Sequence, residues 1–307
     1  MSKLRVLIGG GSGFVGRALT ASLESQGHKV TTISRTPAAS GLSWDDIKKN
    51  GLPTSTDAVI NLSGANIMDL KKLWTRAYKE ECRISRVSTT KLLAQAVADN
   101  EHPPSVWIST SAVGFYPPHA DTRYDETSPI TGDRDWAAEL CTAIEEASDL
   151  TNSKENCEHF ESIRSVVMRT GIVLGQGGGA FENMRLPFLF GLGGTFGDGS
   201  HWFPFVHLKD VVRAYEFALF DPRPQGPLNL VAPHTCTNKE FTKALGAAMR
   251  RPTVIPVPRF MSTLMGKDRG SLLFDGQHVT PAALTSLGFE FEFPDVTSCC
   301  ANLAGSS

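Results

Sequence analysis

The residues GGGSGFVG at 9–16 hold two overlapping glycine patterns, Gly11-x-Gly13-x-x-Gly16 and Gly10-x-x-Gly13-x-x-Gly16. Glycine lets a backbone approach a pyrophosphate closely, and the start of a helix offers free N–H groups and a positive dipole end. The segment therefore predicts a phosphate grip made by Gly10, Ser12, Gly13, Phe14, Val15 and Gly16. A tight turn with no ligand is the alternative. Farther along, Ser34-Arg35 stand where an acidic residue would hold the ribose 2′-hydroxyl of NAD and repel a 2′-phosphate. A hydroxyl plus a guanidinium can hold that phosphate by charge-assisted hydrogen bonds, so NADP is the expected cofactor. The alternative for Arg35 is a solvated loop.

Such a grip needs a strand before it and a helix after it. Residues 4–9 (LRVLIG) are a short apolar run ended by glycines, and 14–26 carries Phe14, Val15, Ala18, Leu19 and Leu23 at helical spacing. Gly27 stops the helix, and Lys29 to Ile33 is β-branched enough for a second strand. Further apolar strands are expected at Asp57 to Leu62, Val106 to Thr110 and Val166 to Thr170, with a polar helical stretch over about 70–98. Strands alternating with helices predict an α/β fold, a doubly wound parallel sheet of the NADP-binding Rossmann type. From Gly171 onward glycines crowd the chain and predict loops, before a helix over Lys209 to Phe220 and a strand near Leu228 to Val231. The expected division is a nucleotide-binding domain over 1–175, rejoined by 207–232, and a smaller C-terminal, substrate-side lobe formed by 176–206 and 233–307.

Bulk composition narrows the partners. The chain of 307 residues is 41% hydrophobic and 20% charged, which suits a folded globular protein. Its net charge of −2 gives no basic field for a nucleic acid. No stretch approaches the roughly 20 apolar residues of a membrane span, and a first strand at Leu4 leaves no room for a secretory leader. An intracellular, by default cytoplasmic, protein is expected. The six cysteines at 82, 141, 157, 236, 299 and 300 form no C-x-x-C pair, so reduced thiols and no metal are expected.

With GGGSGFVG, NLSG at 61–64 and STSA at 109–112, the chain resembles the short-chain dehydrogenase/reductase superfamily in its extended, epimerase-like form. W-T-x-x-x-K-E from Trp74, I-S-R at 84–86, R-T-G-I-V-L-G at 169–175, G-L-G-G at 191–194, H-x-K-D at 207–210 and N-L-V-A-P at 229–233 are similar to NADP-dependent epimerase-family proteins with their own C-terminal domain. The resemblance implies that Leu62 and Ser63 line the adenine and ribose side of the cofactor. It implies that Glu81 and Arg86 reach the cofactor, and that the backbone near Val173 flanks the nicotinamide. For Glu81 and Arg86 a charged solvent face is the alternative.

Active members of that superfamily use a Ser or Thr after the fifth strand and a Tyr-x-x-x-Lys pair on the next helix. Ser111 fits the first role. Aligning Asp133 to Glu146 puts Ala137 at the tyrosine and Cys141 at the lysine position; a slip of one residue gives Trp136 and Leu140 instead. Neither pair can exchange protons as the family pair does. Tyr116, Cys141, or His207 with Asp210 are the substitute acid/base groups, and Arg169 is a site residue or a buried ion-pair partner. Two functions follow: an NADP-dependent oxidoreductase or epimerase-like protein acting on an unknown small molecule, or a catalytically depleted NADP(H)-binding sensor or scaffold.

Overall fold

The computed structural model describes residues 3–37, 40–69, 71–118, 121–130, 134–152, 162–264 and 266–305. Leu70, Asp133 and Cys157, named above, lie outside them. β1 (Arg5–Gly9), α1 (Phe14–Ser25) and β2 (Lys29–Ser34) form the expected unit. α1 buries Gly16, Leu19 and Leu23, which helical spacing places along one face. Gly27 takes φ 85°, the left-handed conformation in which glycine ends a helix.

Two elements then appear that the sequence reading passed over. β3 (Leu42–Ser43) is too short to show a period, and α2 (Trp44–Asn50) begins at a reciprocal capping box between Ser43 and Asp46. β4 (Ala58–Asn61), α3 (Arg76–Ala98), β5 (Val106–Ala112), β6 (Arg123–Tyr124), α4 (Trp136–Ser148) and β7 (Arg164–Thr170) follow. β8 (Ile172–Leu174), α5 (Gly179–Leu189), β9 (Phe205–His207), α6 (Leu208–Phe220) and β10 (Gly226–Leu230) come next. The chain ends in α7 (Asn238–Met249), α8 (Phe260–Leu264), α9 (Lys267–Phe274), β11 (His278–Val279), α10 (Ala282–Ser286) and α11 (Val296–Gly305). The glycine-rich stretch read as loop thus contains a helix. Gly177, Gly178 and Gly179 take positive φ at its start, and α5 then buries Phe181 and Phe188 in spite of its low intrinsic propensity.

Seven strands make one parallel, doubly wound sheet in the order β10-β7-β5-β4-β1-β2-β3. The order reverses between β1 and β4, and ligands of open α/β sheets bind at the carboxyl ends of the strands at such a point. The chain divides into two compact units. The first comprises Met1–Ser111, Leu140–Met168 and Val212–Leu228, and its core includes Leu7, Ile33, Val59, Leu93 and Trp107. The second comprises Ala112–Glu139, Arg169–Val211 and Asn229–Ser307, with a core built on Phe181, Phe203, Phe205, Phe241 and Leu245. Among the described residues, no helix is long and apolar enough to cross a membrane.

Candidate functional site

The turn between β1 and α1 is held by its own backbone. The Gly10 amide donates to the Ile33 carbonyl and the Gly13 amide to the Gly10 carbonyl, each at 2.9 Å, and Arg17 Nη1 donates to the Ser12 carbonyl, also at 2.9 Å. The glycines differ in what surrounds them. A Cβ on Gly10 (φ 75°) would lie 2.8 Å from the Leu62 and Ser63 backbone, and one on Gly16 only 2.4 Å from the Gly10 carbonyl oxygen. Both are demanded by the fold. A Cβ on Gly13 would meet nothing closer than that same oxygen, at 3.1 Å. Gly13 is also the exposed N-cap of α1 and no side chain caps the helix, so its first amides face outward with the dipole's positive end. Phe14 and Val15 begin the helix half-buried.

Ser34 is buried at the end of β2, one residue past the Gly9–Ile33 register pair, and Arg35 is exposed beyond it. No described residue pairs with Arg35, so its guanidinium is free to meet an anion.

Past β4, the Ser63 amide and hydroxyl both donate to Asn61 Oδ1, at 3.1 and 2.6 Å, while Asn61 Nδ2 donates to Thr90 Oγ1 at 2.8 Å. Ser63 also shares a 2.6 Å hydrogen bond with Thr89. Asn61, Thr89 and Thr90 thus fix the strand end, a supporting role that no local pattern announces. Glu81 is occupied by Lys72, 2.7 Å away, and both are substantially exposed, so the pair contributes little to stability. Arg86 lies half-buried on α3 against Gly64, and burial pushes its guanidinium below arginine's usual range.

At the end of β5, Thr110 is engaged by the Asn61 carbonyl and the Tyr215 hydroxyl. Ser109 and Ser111, on the opposite face, are buried with hydroxyls that find no partner among the described residues. A buried hydroxyl without a partner is costly in a fold and marks a position that a ligand could complete. On α4, Ala137 and Cys141 lie one turn apart as aligned, and Cys141 is buried.

The remaining candidates lie in the second unit. Tyr116 is fully buried: its hydroxyl donates toward the Asp125 carbonyl (3.0 Å) and Asn229 Oδ1 (2.9 Å) and accepts from Arg169 Nη1 (2.8 Å). Its ring stacks on Tyr124, and burial raises its pKa. The single hydroxyl proton is shared between those two acceptors and Arg169 takes a lone pair, so buried hydrogen bonds within the fold hold Tyr116. Arg169 also stacks on Phe115, 3.7 Å from the ring centre. Val173 is half-buried on β8, paired with Val206 of β9.

Asp210 of the H-x-K-D run is likewise committed to the fold, and His207 is engaged there through one ring nitrogen. Asp210 is fully buried and accepts the amides of Glu292 (2.7 Å) and Phe293 (2.9 Å), while His207 stacks on Phe293 and accepts the Lys209 amide. Asp210→Ala would strand both amides, at a cost of about 3 kcal/mol. Urea unfolding should show that fall as a lower midpoint at unchanged slope; an unshifted midpoint would refute the anchoring role.

Residues 6–230 match the NAD dependent epimerase/dehydratase family, and residues 257–303 match a domain of unknown function, DUF1731. The epimerase family protein SDR39U1 of Bos taurus is 42% identical over 295 residues, 95% of this chain and 97% of the relative. An epimerase family protein of Mycobacterium tuberculosis, MT2273, is 37% identical over 298 residues, 95% and 94% of the two chains. The crystal structure of the human epimerase family protein SDR39U1 (isoform 2) with NADPH is similar with a TM-score of 0.93 at 39% identity, covering 99% of this chain and 100% of that one.

Proposed function

The chain belongs to the NAD dependent epimerase/dehydratase family, and on that premise we propose that it binds NADP(H) and acts as an oxidoreductase or epimerase-like protein on a small carbonyl or hydroxyl compound. The observation that carries the reading is the turn at Gly13, whose outer side meets no side chain among the described residues and adjoins an uncapped helix start. That cradle fits a pyrophosphate, and Ser34 with the unpaired Arg35 fits a 2′-phosphate. The human relative crystallised with NADPH supports the same cofactor. When bound, the nicotinamide would give or take a hydride.

In this reading the chain's own residues divide the work. Gly10, Ser12, Gly13, Phe14, Val15 and Gly16 present amides to the pyrophosphate, Leu62 and Ser63 border the nucleoside, and Arg86 adds a positive charge. Ser111 hydrogen-bonds the substrate oxygen and thereby gains the partner it lacks among the described residues. Cys82, Cys141, Cys236, Cys299 and Cys300 are buried and form no disulfide among the described residues, which suits a reducing, intracellular compartment.

Calorimetry with NADPH and NADH tests the cofactor. Arg35→Ala should lose about 1.5–3 kcal/mol for NADPH, the worth of a hydrogen bond to a charged group, and little for NADH. Equal affinity of the parent protein for both cofactors would sink the assignment. A second reading, a cofactor-binding protein without turnover, is favoured by Ala137 and Cys141 and would show NADPH binding but no oxidation with any carbonyl compound offered.

A further inference from the structure

We propose that one face of the second unit, made by the end of α5 with residues 190–195 and by the end of α7 with residues 250–257, docks peripherally on an anionic phospholipid surface.

Exposed apolar side chains are unevenly spread over the chain. Of the nine large ones exposed among the described residues, seven lie between 186 and 192 or between 254 and 260, with Phe190 and Val254 each 76% exposed. Residues 190–195 and 252–257 run side by side. The Ile255 amide donates to the Gly193 carbonyl at 3.3 Å and the Val257 amide to the Thr195 carbonyl at 2.7 Å, while a Cβ on Gly191 would stand 3.8 Å from Pro252 Cγ. Gly194 permits that approach, since a Cβ there would overlap the Ile255 carbonyl. Single apolar residues on a surface need no explanation, whereas a contiguous patch marks a place of contact.

The charge beside this patch has one sign. Although the whole chain carries −2, residues 183–197 hold Arg185 and no carboxylate, and residues 241–264 hold Lys243, Arg250, Arg251 and Arg259 and none. Arg185 pairs with Glu182 and Arg259 with Asp275, but Arg250 and Arg251 have no side-chain partner among the described residues. Arg250 ends α7 in the left-handed conformation, at φ 53°, a place usually taken by glycine. A cation there suits the helix dipole. The dipole does not account for what lies beneath. Arg185, Arg250 and Arg251 border a cavity of about 310 Å³ between α5, α7 and α11, and its other walls are wholly apolar, Phe181, Leu189 and Met249 among them.

A cationic rim over an apolar floor matches an anionic head joined to an acyl chain, which is the chemistry of an acidic phospholipid. Phe190, Leu192, Val254 and Ile255 can enter the zone between headgroups and chains while the arginines hold lipid phosphates. Docking of this kind needs no spanning helix. A second copy of the chain fits less well, because a two-fold contact through this face would set Arg250 and Arg251 near their own images. An acidic protein surface answers the arginines, whereas an anionic bilayer answers the arginines, the apolar patch and the amphipathic cavity together.

Cosedimentation of the whole chain with vesicles tests the docking. Phosphatidylcholine vesicles containing about one quarter phosphatidylserine should bind at least about tenfold more tightly than phosphatidylcholine alone, and raising the salt from about 0.05 to 0.5 M should weaken binding. Arg250→Gln with Arg251→Gln should cost about 25-fold, about fivefold for each arginine. Phe190→Ser with Ile255→Ser should cost at least about tenfold. All four side chains are exposed, so the melting temperatures should stay within about 2 °C of the parent's, and Arg251→Gln or Leu192→Ser alone serves where a double variant fails to fold. Absence of binding to the phosphatidylserine vesicles overturns the docking. So does equal binding to phosphatidylcholine alone, or binding that neither variant weakens. Sedimentation velocity addresses the second copy: a dimer that Phe190→Ser dissolves would assign the face to self-association and overturn the lipid reading. Binding to soluble polyglutamate as tight as to the vesicles, and untouched by Phe190→Ser, would assign it to an acidic protein and overturn it as well.

Discussion

Gly13→Val is expected to raise the dissociation constant for NADPH by more than about 100-fold while lowering the melting temperature by less than about 3 °C. The contrast arises because Gly13 is glycine for a reason outside the protein. Its φ of −73° and ψ of 177° suit any residue, and an added Cβ would approach only the Gly10 carbonyl oxygen, at a tight but adjustable 3.1 Å. The branched side chain would project over the helix amides, where a pyrophosphate must come close. Gly16→Ala should behave differently. Its Cβ would lie 2.4 Å from the Gly10 oxygen and 2.7 Å from Gly11 Cα, so the turn itself must shift and both stability and binding should fall. Calorimetry and thermal melting on the two variants separate the causes. Unchanged NADPH affinity in Gly13→Val would show that the turn is only structural.

The other large effect concerns turnover. Carbonyl-dependent oxidation of NADPH is expected to run about 10²- to 10⁴-fold below that of an enzyme with a positioned general acid. Ala137 has no proton to give, and Tyr116 is fully buried with its hydroxyl proton held between Asp125 and Asn229 and Arg169 donating to its oxygen. The rate should also lack a titration belonging to a tyrosine–lysine pair between about pH 6 and 9. What remains is Ser111 as a hydrogen-bond donor to the substrate oxygen. Ser111→Ala should abolish the residual rate yet leave the melting temperature equal to or above the parent's. Removing a buried hydroxyl that has no partner relieves a desolvation cost, whereas removing a structural hydroxyl would not. Ordinary enzyme rates in the parent, untouched by Ser111→Ala, would place the chemistry elsewhere.

Much of the fold was legible because it rests on local rules. The apolar runs at β1, β2, β4, β5 and β7 and the helical spacing of α1 each signal themselves within one element. β3 and α2 were not legible, the strand being two residues long and the helix two turns. Nor was α5, where three glycines mask a helix that exists because Phe181 and Phe188 are buried against other elements.

For the site, sequence alone determined the glycine turn, Ser34–Arg35, the position of Ser111 and the loss of the Tyr-x-x-x-Lys pair, since each is a matter of residue type at a given spacing. Only the tertiary structure distinguished residues of the same type. It committed Tyr116 and Asp210 to the fold, left Ser111 without a partner among the described residues, and separated Gly13 from Gly10 and Gly16 by what an added Cβ would strike. It paired Glu81 with Lys72, and it set Arg86 against Gly64. The physical reason is the range of the forces. Backbone propensity and periodicity act over a few residues. Whether a hydroxyl is satisfied or a cation has its acid depends on groups brought together from tens of positions away, which only the folded chain assembles.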